Sequence, residues 1–343
     1  MSNRPTVVLG MPTDNQIYRT LEAALTHHGF RVISVIQPGQ DFRYPSWTSR
    51  LSVKFRQLVL RDKNAKEKFK SQLLLNNMEQ QLARNGGADY ALFIRGDIYS
   101  PEFLRTVRKY VRRSMVNYQW DGLGRFPKIR QYMDLFDKFY VFDPADCAAE
   151  SRVLPATNFY FDHNLTPTEN PPHDLYFVGF HMPDRTESIA AFGRAAQKLH
   201  LDLDFHIGSM DISAEQLRTQ YPDNIQVFNG VRSFEDNLKA AQTQAKILVD
   251  FKTPVHNGLS FRPFEALGYR KKLITTNAGI EQYDFYHPDN IFVWDGSNLD
   301  GLKAFIDRPY HEMPSEIYEK YSFSNWIRYI LNIEPHIKIT LPE

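Results

Sequence analysis

Ser260, Arg262 and Glu265 fall within six positions of one another in the run GLSFRPFEALGYRKKLITTN, residues 258–277. A proline suits the first position of a helix, and the residue before a proline is pushed out of the helical region. Pro263 is therefore expected to open a short helix, PFEALGY, with Arg262 as its cap or lead-in. Glu265 then lies in the first turn. Arg270, Lys271 and Lys272 end the helix, where the dipole favours cations, and residues 273–276 follow as a short buried strand. A helix start with free N–H groups binds anions. A hydroxyl and a guanidinium just before it suit a diphosphate, and a carboxylate one turn in accepts hydrogen bonds from ribose hydroxyls. The same residues also fit a local role, with Glu265 reaching back to the backbone as a cap and Arg262 pairing with it. Both readings are open at this point.

Composition bounds the host of this stretch. A chain of 343 residues is too long for one ordinary core and comfortable for two α/β domains. Apolar residues make up 42% and charged residues 24%, as in soluble globular proteins. The net charge of +1 gives no field that would draw nucleic acid, so no nucleic-acid partner is expected. One cysteine, Cys147, excludes an internal disulfide framework and a cysteine-based metal cluster. The His and acidic residues show no metal-ligand cluster, so no metal is expected. The opening residues MSNRPTVVLGMPTD carry no long apolar region, and no run of about 18 apolar residues occurs. A cytoplasmic protein is the expectation. Aromatic residues reach 14%. Their faces suit carbohydrate sites, but cores use them far more often.

The elements that must position the candidates alternate. Residues 6–9 read as a strand, and Ile17, Leu21, Ala24, Leu25 and His28 recur at helical spacing up to Gly29. Residues 31–36 form a second strand, giving a β-α-β start without the G-x-G-x-x-G of a dinucleotide site. Residues 48–85 read as helical and polar. Arg50, Lys54, Arg56, Arg61, Lys63, Lys66, Lys68 and Lys70 interleave there with Leu51, Phe55, Leu58 and Leu60. Such a stretch fits a solvated helix face or contact with an anionic membrane surface. Strands are expected at 88–95, 115–118, 139–142 and 153–155, and helices at 101–111 and 129–136. Asp14, Asp97, Asp121 and Asp143 follow strands at one carboxyl edge, and each equally suits a turn or cap.

Residues 162–174, DHNLTPTENPPHD, hold three prolines and read as a linker. A second alternating series follows, with strands at 175–178, 203–208, 225–228, 246–251, 273–276 and 291–294. After the first of these, Gly179 allows close approach of a ligand, and Arg185 near a helix start is a second candidate for the diphosphate. His181 fits either a phosphate or sugar contact or an ordinary surface histidine. Residues 318–331 are expected to form one terminal helix with aromatic anchors.

The order small-Arg-x-x-Glu-Ala-Leu, a basic turn, then a strand ending Ile-Thr-Thr-Asn resembles the donor-nucleotide site of GT-B glycosyltransferases. It is most similar to bacterial ones that build surface polysaccharide such as lipopolysaccharide, capsule or O-antigen. The resemblance covers the C-terminal half well and the N-terminal half in element order only. It implies an α/β GT-B fold of two doubly wound Rossmann-like domains facing a central cleft. The implied layout is an acceptor domain at 1–165, a donor domain at 166–317 and a terminal helix, 318–343, crossing back to the first domain. It implies donor binding by Gly179, His181, Arg185, Ser260, Arg262, Glu265 and Asn277, with Glu265 on the ribose and Ser260 and Arg262 on the phosphates. Residues 229–233 would lie near the base. Many retaining members carry a first glutamate eight positions before the second; here that position is Asn257, an amide. An inverting, metal-independent transfer with no cofactor beyond the nucleotide-sugar is the resulting expectation.

In GT-B enzymes the N-terminal domain holds the acceptor, so the base should come from its carboxyl edge. Asp121 is the first candidate, because Trp120 and Tyr118 would give it an apolar setting that raises its pKa. Asp14 and Asp97 are the alternatives. The expected partners are a nucleotide-sugar donor, a glycan or glycolipid acceptor, and the inner face of a membrane. A nucleotide-sugar epimerase of the same fold, and a non-catalytic sugar- or nucleotide-binding protein, are the competing readings.

Overall fold

The computed structural model describes residues 4–37, 42–62, 65–166, 168–297 and 299–342. Of the basic stretch, Lys63 and the side chain of Lys68 lie outside the described residues. The chain forms two compact units. One is built around Tyr18–Tyr140, joined by Arg152–Leu154; the other takes Val141–Ser151 and the chain from Pro155 onward. Both are doubly wound α/β units, as the sequence predicts.

The elements of the first series are β1 (Thr6–Gly10), α1 (Ile17–His27), β2 (Arg31–Ser34), α2 (Trp47–Leu58), α3 (Ala65–Arg84), β3 (Ala88–Ile94), α4 (Pro101–Tyr110), β4 (Val111–Gln119), β5 (Lys138–Val141), α5 (Pro144–Ala149) and β6 (Leu154–Pro155). Its six strands lie in the order β2-β1-β3-β4-β5-β6. Every residue of β1 is buried, the mark of a parallel strand covered on both faces. β1 pairs in parallel with β2 on one side and β3 on the other. The chain thus reverses direction across the sheet between β1 and β3, and their carboxyl ends flank a crevice where ligands of such folds bind. α4 begins as expected: the Ser100 side chain accepts from Phe103 N at 3.1 Å, Pro101 opens the helix, and Phe103, Leu104 and Val107 are buried. The helix expected over residues 129–136 is instead a run of 3-10 turns, Pro127–Leu135.

The second series comprises β7 (His173–Phe180), α6 (Pro183–Lys198), β8 (Leu203–Ser209), α7 (Ala214–Arg218), β9 (Gln226–Asn229), α8 (Phe234–Thr243), β10 (Ala245–Asp250), α9 (Phe261–Gly268), β11 (Lys272–Thr275), β12 (Ile291–Val293), α10 (Leu302–Asp307), α11 (Ser315–Lys320) and α12 (Phe323–Leu331). The order β12-β11-β10-β7-β8-β9 puts the reversal between β7 and β10. Much of the aromatic content is core. Phe192 stacks on Phe205 with ring centroids 5.8 Å apart, and Phe177, Phe251 and Trp294 close the cluster.

Two expectations are corrected. Pro263 does not open α9; the helix starts at Phe261 and Ser260 caps it. A proline at the third position removes no helical hydrogen bond, because the first N–H groups of a helix have no intrahelical acceptor. The terminal helix is two helices, since Ser322 leaves the helical path and its side chain caps α12 through Asn325 N at 3.2 Å. α12 packs within the second unit, where Trp326 is fully buried and its Nε1 donates to Thr157 O at 2.9 Å. Trp326→Ala should lower stability by about 3–5 kcal/mol through the cavity alone, read as a lower urea midpoint; Trp326→Phe should lose less.

Candidate functional site

The carboxyl edge of the first sheet gathers the three nominated aspartates around one arginine. Arg95 follows β3 in the left-handed region, φ 60° and ψ 58°. This conformation is costly for a side chain with a Cβ. It turns the guanidinium along the sheet edge. There Nε and Nη2 hold Asp97 at 2.8 and 3.0 Å, and Nη1 meets Asp121 at 3.5 Å. The Phe126 ring lies 3.3 Å below the guanidinium carbon. Arg125 donates to the other oxygen of Asp121 at 2.8 Å. Asp97 and Asp121 are thus held by cations. The apolar surroundings expected for Asp121 are not what the structure gives it, because two guanidinium groups occupy them and Tyr118 turns into the core.

Asp14 differs. It follows β1 across the reversal point from Arg95. Burial raises its carboxyl pKa above the ordinary value of 3.8, Arg95 and Arg125 oppose the rise, and Asp121 adds to it. The edge therefore holds two carboxyl groups paired with guanidinium groups and a third, Asp14, whose burial favours its protonated form. Gln119, at the end of β4, is fully buried, and neither amide atom has a hydrogen-bond partner among the described residues. Arg95, Arg125 and Gln119 were not foreseen from sequence. The one available signal was the run Arg95-Gly96-Asp97 after an apolar strand.

In the second unit the nominated donor residues line the ends of β7, β8, β10 and β11. Asp250, buried at the end of β10, accepts from Ser260 Oγ at 2.8 Å and from Thr275 Oγ1 at 3.0 Å. Ser260 also accepts from Arg262 N at 3.3 Å, so one hydroxyl both caps α9 and ties it to the sheet. Arg262 Nη1 donates to Glu265 Oε2 at 2.7 Å, and its guanidinium lies 5.2 Å from the Tyr176 ring centroid. The local pairing of Arg262 with Glu265 is therefore real. Glu265 is 4% exposed; burial raises its pKa and Arg262 opposes the rise.

Arg185, on the first turn of α6, folds back over the strand ends. Its Nη2 donates to Phe180 O at 2.9 Å and Nη1 to Phe251 O at 3.2 Å, spanning the β7/β10 reversal point. Its Nε is buried with no partner among the described residues. His181 N donates to Gly208 O at 2.8 Å, and its Nδ1 sits 2.9 Å from Tyr221 Oη. Burial, then Arg185, lowers the His181 pKa below 6.5, which favours the neutral ring. The Asn277 side chain accepts from Gly279 N at 3.2 Å and caps a 3-10 turn.

Beside these groups a cavity of about 70 Å³ is lined by Gly179, Phe180, Gly208, Phe228, Gly230 and Arg232. Gly208 is required there, since a Cβ would meet Gly230 O at 2.5 Å. Asn257, where a first glutamate was sought, accepts from Lys252 Nζ at 3.1 Å.

No protein-family model and no curated protein matches the chain. Solved structures do. UDP-GlcNAc 2-epimerase from Neisseria meningitidis bound to UDP-GlcNAc is 10% identical with a TM-score of 0.49, covering 96% of this chain and 99% of its own. A glycosyltransferase from Rickettsia africae is 13% identical with a TM-score of 0.47, over 89% and 88%. MurG from Acinetobacter baumannii is 14% identical with a TM-score of 0.39, over 79% and 78%.

The Asp14 pKa has a consequence for stability. A carboxyl whose pKa is raised on folding favours the folded state while protonated and loses that contribution as pH rises through the raised value. Asp14→Asn should therefore gain stability relative to the parent at neutral pH. The gain should vanish as pH falls below 3.8, the ordinary value. Paired denaturation curves across pH measure this; a pH-independent difference would remove Asp14 from the buried carboxyl role.

Proposed function

We propose that the protein is a GT-B glycosyltransferase that moves a sugar from a nucleotide-sugar donor to a surface-glycan acceptor, by inversion and without a metal. The observation that carries the reading is the donor-type constellation at the β7/β10 reversal point. A helix N-terminus fixed by Ser260 and Asp250, the Arg262–Glu265 pair, Arg185 and a glycine-lined cavity share one strand edge. In this reading Glu265 receives the ribose hydroxyls, giving up part of its bond to Arg262. Arg262 and the first N–H groups of α9 then meet the diphosphate. Residues 229–233 and the glycine-lined cavity take the base.

The first unit holds the acceptor, a glycan or glycolipid of lipopolysaccharide, capsule or O-antigen type at the inner face of a membrane. Asp14 serves as base in preference to Asp121, because Asp121 is already neutralised by Arg95 and Arg125. The acceptor oxygen forms its bond to the anomeric carbon as Asp14 takes the hydroxyl proton. The bond from that carbon to the diphosphate oxygen breaks, and its electron pair leaves with the nucleoside diphosphate. Arg185, Arg262 and the helix dipole stabilise the charge that develops.

Thermal stabilisation by UDP, GDP, dTDP, ADP and CMP tests the donor site. A ligand at 100 times its dissociation constant adds about 2.7 kcal/mol. One nucleotide should raise the melting temperature, and Glu265→Ala should lose that rise measured from its own baseline. If none raises it, the donor reading fails. Once a donor is identified, Asp14→Asn should lower kcat about 100- to 10,000-fold and leave the nucleotide shift intact. Asp121→Asn behaving that way in its place would move the base.

A further inference from the structure

We propose that α2 is a docking face for an anionic lipid surface. Trp47, Leu51, Phe55 and Leu58 recur at four-, four- and three-residue steps and so form one stripe along the helix. They are 54–79% exposed, and Val59 and Leu60, just past the end of the helix, are 61% and 63% exposed. Val53 alone among the residues of α2 is buried, on the side away from the stripe. A folded protein rarely leaves a contiguous apolar patch of this kind uncovered.

The charges beside the stripe identify its cover. Arg50 and Lys54 are four positions apart and form the neighbouring row. From Trp47 to Asp62 the chain carries four cations, Arg50, Lys54, Arg56 and Arg61, against one carboxylate, Asp62, a local excess of three in a protein of net charge +1. Asp62 is 3.7 Å from Arg56, which leaves the Arg50–Lys54 row without an acidic neighbour in that segment. A second copy packed by two-fold symmetry would set this basic row against its own like. A bilayer of anionic lipids takes the apolar stripe into its interface and meets the cations at its headgroups, with Trp47 at the level such rings prefer. No described helix is long and apolar enough to cross a membrane, so the contact lies in the plane of the surface.

The inference uses no part of the donor site, so its failure leaves the nucleotide result untouched. The full chain is sedimented with vesicles of phosphatidylcholine, alone or with phosphatidylglycerol. Binding should require phosphatidylglycerol and weaken with salt. Each cation near such a surface is worth about five-fold in partitioning, so Arg50→Gln with Lys54→Gln should lose about 25-fold. Leu51→Ser with Phe55→Ser should lose at least about ten-fold. Neither pair should lower the melting temperature, since the four side chains are exposed. Brominated lipid should quench fluorescence in the parent and much less in Trp47→Phe. Absence of binding to anionic vesicles, or binding by both double variants equal to the parent's, overturns the proposal. A dimer in sedimentation equilibrium that Leu51→Ser with Phe55→Ser dissolves also overturns it, by giving the stripe to a second copy.

Discussion

Asp250 is a buried carboxylate at the end of a central strand, and the geometry of the second unit's site depends on it. Each of its oxygens takes one hydroxyl, from Ser260 and Thr275. Ser260 belongs to the start of α9 and Thr275 to the end of β11, so one side chain fixes a helix N-terminus against two adjacent parallel strands. Arg185 acts on the other side of the same point, joining Phe180 O and Phe251 O across the reversal between β7 and β10. Parallel strands leave carbonyl groups at their carboxyl ends that no ladder satisfies. Here those carbonyls bind a cation, and the cation sits where an anionic ligand of such a fold is held. The Coulomb attraction of Asp250 for Arg185 keeps that charge in place without occupying every donor, since Nε remains unused.

The first unit uses the same strand–helix alternation, with a different strand order. Its reversal point carries carboxyl groups; Arg95 joins Asp97 and Asp121, and Arg125 holds Asp121 as well. The left-handed backbone at Arg95 is the cost of that arrangement, of order 1–2 kcal/mol. The bidentate pair with Asp97 and the ring of Phe126 offset it. An arginine sharing its donors between Asp97 and Asp121 leaves the third carboxyl, Asp14, under-compensated. Burial then decides its pKa.

The alternation of strand and helix was legible because the central strands are continuous apolar runs, as in TVVLG, ADYALFI and KILVD. That alternation also put Asp14, Asp97 and Asp121 at one edge, since each follows a strand. The i,i+3 spacing of Arg262 and Glu265 made their meeting readable, and Ser100 with Pro101 announced α4. The cap of α9 was misread because Pro263 drew the start toward itself, whereas the hydroxyl of Ser260 decides it. The break before α12 was missed for the same reason: a serine amid aromatic residues gives no periodic signal until its side chain is seen to cap. Nothing in sequence marks Arg95 as left-handed or Arg185 as folded back, because both depend on partners far along the chain, Asp121 and Phe251.

The aromatic content divides along the same line. Phe177, Phe192, Phe205, Phe251 and Trp294 fill the interior of the second unit, and Trp326 anchors α12. None of these needed a ligand to explain it. Trp47 and Phe55 are the opposite case, since they lie on a helix with a single buried residue and gain nothing from the core. Hydrophobic burial cannot account for their presence in this structure, and cations stand in the adjacent row. Composition counts both groups alike; only exposure separates the rings that hold the fold from those that face outward.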